Sequence, residues 1–364
     1  MVSDPRTLTS DRFGYASCSY GDPEEETIPC HLHLESPRFD KSKIYDCDTG
    51  LHPSEIGHVP KPTYPFLFHL LGDTKIILPW IDRKNSRNIL VLRIIDMENC
   101  EIRDVHVKVA QMPIFKLITY DNGFDVIYGR PHGRTDPMHQ EYFRASYDLD
   151  GTEVRAPMPI FEEIEQDELE RSVNILYSPM NQLFPIFKGK SAGGYFFISR
   201  DQVKILGPDS RVIASKRFHT GNALIESRIF YGNNSLYIVK YDECVMQVIQ
   251  IDEHLNLVRN ITYEFDEERR YAAILVNYSP TFMVLTSDLA DPISERIYYL
   301  ETIDANDKRE KSLPVGKLRF KENLLVWFYM TYSETHVCVN ALSSNDLIIK
   351  GLKTACVPKA DLHN

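Results

Sequence analysis

The chain has 364 residues, two to three times the length of a typical domain, which suits one large repeat-built domain or two ordinary ones. Hydrophobic residues make up 43% and charged residues 26%, the balance of a globular protein and not of a disordered one. The formal charge of −11 repels phosphate and argues against general nucleic-acid binding.

Met1 to Arg6 carries no apolar leader, and no apolar run reaches the roughly 18 residues of a membrane-spanning helix. Residues 12–20, 28–34, 43–47 and 56–59 are short strand candidates, so 1–60 is either a first blade of a repeat or an arm. Asp22-Pro23-Glu24-Glu25-Glu26 and the prolines between 53 and 65 suit the arm. His31 and His33, two apart on a strand, share a face, and with Cys30, Asp46 or Asp48 they have the chemistry of a zinc site. No third ligand has a diagnostic spacing, so no metal is expected.

From residue 61 onward, short apolar strands come in pairs around Gly, Asn, Asp or Pro corners. Phe66–Leu71 turns into Ile76–Leu78, and Phe115–Tyr120 into Phe124–Tyr128. Leu224–Tyr231 turns into Leu236–Val239, Ala272–Tyr278 into Phe282–Leu285, and Leu318–Phe320 into Leu325–Tyr329. A second hairpin with an acidic turn follows each pair. Its marks are Asp96, Asp150-Gly151, Pro208-Asp209, Asp252, Asp304 and Asn345-Asp346, with Asp48-Thr49-Gly50 as an earlier one. One long hairpin loop and one insertion that interrupts the rhythm stand out. Gly129–Gln140 holds Arg130, His132, Arg134, Asp136 and His139 on a backbone bent by Gly and Pro. Paired arginines suit a carboxylate or phosphate, and imidazole suits proton transfer. Phe161–Arg171 carries six acids at helix-like spacing, a candidate docking segment for a basic partner or a solvated linker. Gly189-Lys190-Ser191 lacks the upstream Gly of a phosphate loop and runs into a strand, which excludes that reading.

Marks at 48, 96, 150, 209, 252, 304 and 346 are spaced near fifty residues, the length of a four-stranded antiparallel blade with its loops. With 20 Tyr, 18 Phe and only 17 Gly, composition also leans to β-structure. From about residue 61 to the end the chain resembles the β-propeller repeat superfamily, WD40-like in architecture but without Trp-Asp dipeptides or Gly-His pairs. The resemblance implies an all-β fold of four-stranded antiparallel blades, seven favoured and six the alternative, with 61–364 as the propeller body.

Seven cysteines, at 18, 30, 47, 100, 244, 338 and 356, are widely spread without a Cys-x-x-Cys pair, and read as reduced and buried. Sequons at Asn233, Asn260 and Asn277 carry little weight without a leader, so a cytoplasmic or nuclear protein is the default expectation. No nucleophile elbow, cofactor motif or catalytic residue set emerges. The expected function is a non-enzymatic scaffold that binds one or more proteins through top-face loops, with Arg130, His132, Arg134, Asp136 and His139 as contact residues. The alternative is a hydrolase or lyase acting on a glycan in the central funnel, and a lectin-like propeller ranks last. No cofactor is expected.

Overall fold

The computed structural model describes residues 6–9, 12–18, 29–35, 42–51, 69–82, 89–108, 115–131, 140–164, 183–188, 191–199, 202–218, 228–232, 234–242, 245–264, 269–275, 282–288, 297–303, 309–317, 325–332, 335–345 and 348–363. Seven antiparallel sheets follow one another along them. Sheet one holds β1 (Arg6–Thr9), β2 (Arg12–Cys18), β3 (Pro29–Glu35) and β4 (Ser42–Asp48). Sheet two holds β5 (His69–Leu71), β6 (Lys75–Asp82), β7 (Ile89–Asp96) and β8 (Glu101–Lys108). Sheet three is β9 (Phe115–Tyr120), β10 (Gly123–Pro131), β11 (Gln140–Asp148) and β12 (Glu153–Pro159). Sheet four is β13 (Leu183–Lys188), β14 (Ser191–Ile198), β15 (Gln202–Leu206) and β16 (Val212–Arg217). Sheet five is β17 (Arg228–Gly232), β18 (Ser235–Asp242), β19 (Val245–Ile251) and β20 (Leu257–Glu264). Sheet six is β21 (Arg269–Leu275), β22 (Phe282–Asp288), β23 (Ile297–Ile303) and β24 (Arg309–Lys317). Sheet seven is β25 (Leu325–Tyr332), β26 (His336–Asn345) and β27 (Ile348–Pro358), followed by the short helix α1 (Lys359–His363).

Each sheet pairs its strands in sequence order, and β25 lies beside both β21 and β1, which closes a ring. The molecule is a β-propeller. Strand alternation explains how it holds together. On β7, Val91 and Ile95 pack with Leu32 and Leu34 of sheet one, while Leu90, Leu92 and Ile94 pack with Phe124 and Val126 of sheet three. Both faces of a central strand are therefore buried, and it reads as an almost unbroken apolar run. The same arrangement joins sheets three to four, four to five, five to six and six to seven. Trp80 is buried in the joint between sheets one and two, and Arg93 lies 5.7 Å over its ring.

The acidic mark has a geometric basis. In sheets three, four and five the turn before the outermost strand is one five-residue device. Its first residue donates its amide to the carbonyl four residues on, at 3.0 Å from Asp148, 2.8 Å from Gly207 and 3.1 Å from Asp252. The residue three along donates back to the first carbonyl and takes a positive φ: Gly151 at 75°, Ser210 at 65° and Leu255 at 60°. Asp148 Oδ1 accepts the amides of Asp150 and Thr152, and Asp252 Oδ1 those of His254 and Asn256. Such side-chain acceptors are why Asp recurs here. Six residues after the turn begins, one residue of the outer strand has no register partner: Val154, Ile213 and Val258 are bulged, and are 70%, 66% and 54% exposed. Sheet six repeats the bulge at Glu310, and sheet seven at Lys350. Lys350 thereby identifies β26 and β27 as the last two strands of their blade.

Several expectations need correction. The anchoring acid in sheet three is Asp148, while Asp150 reaches Lys75 at 2.5 Å. Asp48-Thr49-Gly50 is not an equivalent turn, because β4 is already the last strand of sheet one. There Asp48 Oδ1 accepts the Gly50 amide and Thr49 gives its carbonyl to Arg93, so the segment ties sheet one to sheet two. The expected hairpin of Leu318–Phe320 with Leu325–Tyr329 is not among these corrections, because Leu318–Phe320 lies outside the described residues. The cysteines differ most. Cys47 is bonded to Cys100 across sheets one and two, Cys338 to Cys356 across β26 and β27, and Cys30 is also disulfide-bonded. Residues far apart in sequence meet at blade joints, which linear spacing does not reveal. Cysteine usage therefore does not point to a reducing compartment.

Candidate interaction face

Antiparallel strands alternate the ends of the propeller at which the chain turns. One end carries the turns within the first and last hairpins of each sheet. The other carries the second-to-third-strand loops and the links between sheets. Both segments singled out from the sequence start from this linking end.

Arg130 lies on β10, opposite Glu141 of β11. The pairs Gly129↔Tyr142, Arg130↔Glu141 and Pro131↔Gln140 lie beyond the last pair that β10 makes with the innermost strand, Tyr128↔Phe115. The β10–β11 ribbon therefore overruns β9. Its tip, residues 132–139, lies outside the described residues, and with it His132, Arg134, Asp136 and His139. The acidic segment begins as a turn and not a helix: the Ile164 amide donates to Phe161 O at 3.0 Å. Phe161 and Ile164 are buried against Tyr195 and Phe197, which seats the segment on sheet four. Glu163 accepts the Val212 amide at 2.7 Å, so one of the six acids is used internally. Residues 165–171 lie outside the described residues.

Lys116 lies near the start of β9, at the same linking end. Its Nζ donates to the carbonyl of Leu183 on β13 at 2.6 Å and lies 5.2 Å over the Phe184 ring. Lys116 thus bridges the innermost strands of sheets three and four at the linking end. Burial pushes its amine down to about 7. Nothing in the local sequence, Phe115-Lys116-Leu117, distinguishes it from a solvated strand lysine.

Towards the opposite end, the same two sheets share a buried ionic clasp. Asp125 Oδ2 accepts Arg144 Nε at 3.1 Å and Nη2 at 3.0 Å, together with the Tyr195 hydroxyl, while Tyr120 donates to Oδ1 at 3.3 Å. Arg144 Nη1 continues to Pro208 O at 3.2 Å, and its guanidinium stacks 4.7 Å from the Tyr195 ring. Burial, then the Asp125 charge, drives the Tyr195 phenol well above its ordinary value. Asp125 falls between Phe124 and Val126 on a strand buried on both faces, and this break in pattern was the available signal. A second buried carboxylate, Glu301, accepts Thr286 Oγ1 at 2.8 Å and Tyr263 of sheet five at 3.5 Å. Both carboxylates belong to joints between sheets.

On sheet one, His31 Nδ1 lies 2.5 Å from Asp46 Oδ1, with the His33 ring 6.3 Å from that of His31. Burial, then the His31 charge, lowers the His33 imidazole against the pull of Asp46. Cys30 faces the opposite side, buried and disulfide-bonded, which removes it from any ligand set with the two histidines. Among the described residues no three His, Cys, Asp or Glu side chains are grouped to hold a metal ion. Nor is any helix among them long and apolar enough to cross a membrane.

No protein-family model matches the chain, and no curated protein sequence matches it. Solved structures are similar to it. The β-propeller domain of the Trilobed protease from Pyrococcus furiosus, described as having an open velcro topology, is 8% identical with a TM-score of 0.47, over 97% of this chain and 92% of that one. The WD40 domain of SCAP from fission yeast is 9% identical with a TM-score of 0.44, over 98% and 94%. Oligopeptidase B from Leishmania major is 9% identical with a TM-score of 0.48, over 99% of this chain and 47% of that one. These likenesses are of fold alone.

Proposed function

We propose that this β-propeller is a non-enzymatic scaffold that holds a partner protein against its linking end. Arg130, His132, Arg134, Asp136 and His139 make the contact, and the acids that follow Glu163 receive a basic stretch of the same partner. The observation that supports this reading is that β10 and β11 stay paired past the innermost strand, as far as Pro131 and Gln140, so the segment joining them is anchored on a rigid ladder. Such a surface needs no induced order in its base, because the ladder of hydrogen bonds runs to Pro131 and Gln140. Paired arginines also favour carboxylate recognition and fast, salt-dependent encounter.

The test is retention of partners from native cells by the wild-type chain and by Arg130→Glu/Arg134→Glu, washed at graded salt and read by mass spectrometry. The variant keeps the wild-type melting temperature and loses the partner by tenfold or more, on the order of 1.4 kcal/mol. Equal retention by both proteins would refute the reading.

A further inference from the structure

We propose that Asn260 is a site of N-linked glycosylation, and that the protein matures in an oxidising, lumenal compartment. This inference is independent of the partner-binding reading.

Asn260-Ile261-Thr262 forms an acceptor sequon. A sequon alone has little force, but the placement of this one is specific. It lies on β20, the outermost strand of sheet five among the described residues. Alternation sends Ile261 into the joint with sheet six, where it is buried, and leaves Asn260 and Thr262 exposed on the other side. The Asn260 carboxamide oxygen accepts Gln247 Nε2 at 3.1 Å on the exposed face of the sheet. Leu257 and Val258, about half exposed on the same strand, provide apolar surface that an attached glycan would cover.

An independent observation concerns the compartment. The bonds Cys47–Cys100 and Cys338–Cys356, with Cys30 also bonded, are the chemistry of the lumen in which sequons are glycosylated. Asn233 and Asn277, the remaining sequon asparagines, lie outside the described residues.

In the transfer, Asn260 Nδ2 forms a bond to the anomeric carbon of an oligosaccharide carried on a polyprenyl pyrophosphate. The carbon–oxygen bond to the pyrophosphate breaks, the polyprenyl pyrophosphate leaves with the electron pair, and the amide gives up one proton to a base of the transferase. The Thr262 hydroxyl is the recognition group.

The experiment is peptide mapping of the protein from its native cells, alkylated before lysis, with and without peptide N-glycosidase in heavy-oxygen water. The expected result is a glycopeptide spanning Asn260 that the enzyme converts to labelled Asp, with a faster-migrating band on gels. Asn260→Gln and Thr262→Ala each abolish that glycopeptide, and Thr262→Ser retains it, which separates sequon recognition from a folding defect. Recovery of the Asn260 peptide wholly unmodified would overturn the proposal, as would modification confined to Asn233 or Asn277. Recovery of Cys47 and Cys100 as alkylated thiols would overturn it as well.

Discussion

Replacing Arg144 with Met tests how sheets three and four are joined. Arg144 is 2% exposed and Asp125 is fully buried, so the substitution strands a carboxylate that has no access to water. Removing one partner of a buried pair costs about 3–5 kcal/mol. Two phenols, Tyr195 and Tyr120, still donate to Asp125, which puts the loss near the lower end, about 3 kcal/mol. At about 2 °C per kcal/mol for a large domain, the melting temperature falls by about 6 °C. The assay is thermal unfolding followed by far-ultraviolet circular dichroism at neutral pH. Asp125→Asn/Arg144→Met removes the stranded charge, so it recovers about half of that loss instead of adding to it. A single variant within about 1 kcal/mol of wild type, or a double variant that loses the sum of the two single effects, would refute the argument.

Two further substitutions probe features that burial creates. Lys116 has a folded value of about 7 against an ordinary 10.5, so between those values the unfolded chain binds the extra proton. Stability therefore rises with pH across that window, and the burden of the buried charge is full below it. Lys116→Met should accordingly gain most in melting temperature, relative to wild type, near pH 6, and lose that gain by about pH 10.5; a difference that does not vary with pH would contradict the assigned burial. Ser210→Gly should raise stability by about 1 kcal/mol, because it relieves a left-handed serine and deletes a buried hydroxyl that has no hydrogen-bond partner among the described residues. A loss in the same unfolding assay would show that Ser210 contributes more than strain.

Local patterns and long-range chemistry were unequally legible. Phe115–Tyr120 followed by Phe124–Tyr128 reads as a hairpin because both strands are apolar and Asp121-Asn122-Gly123 tolerates the turn, and β9 and β10 confirm it with Gly123 opposite Tyr120. The fifty-residue rhythm was readable for the same reason, since the turns of sheets three, four and five are each anchored within their own five residues. Cys47 and Cys100 are 53 residues apart and meet only because adjacent blades stack, so no local signal links them. Lys116 is of the same kind: its partner carbonyl, Leu183, belongs to the next blade. Asp148 was obscured differently. Its neighbour Asp150 sits in the same turn, and only the direction of Oδ1 decides which of the two acids anchors it.

The bulges at Val154, Ile213, Val258, Glu310 and Lys350 bear on how other chains are kept away. A propeller ends every blade in a strand with one unpaired edge, and a flat edge is a template on which a foreign strand can polymerise. One extra residue near the start of the strand breaks the even spacing of its free amides and carbonyls and increases its twist. An incoming strand would find its register interrupted after a few residues, at the same height on five successive blades. Added strands are thus discouraged along the five blades that carry the bulge, and recognition there is left to side chains on the ends of the disc.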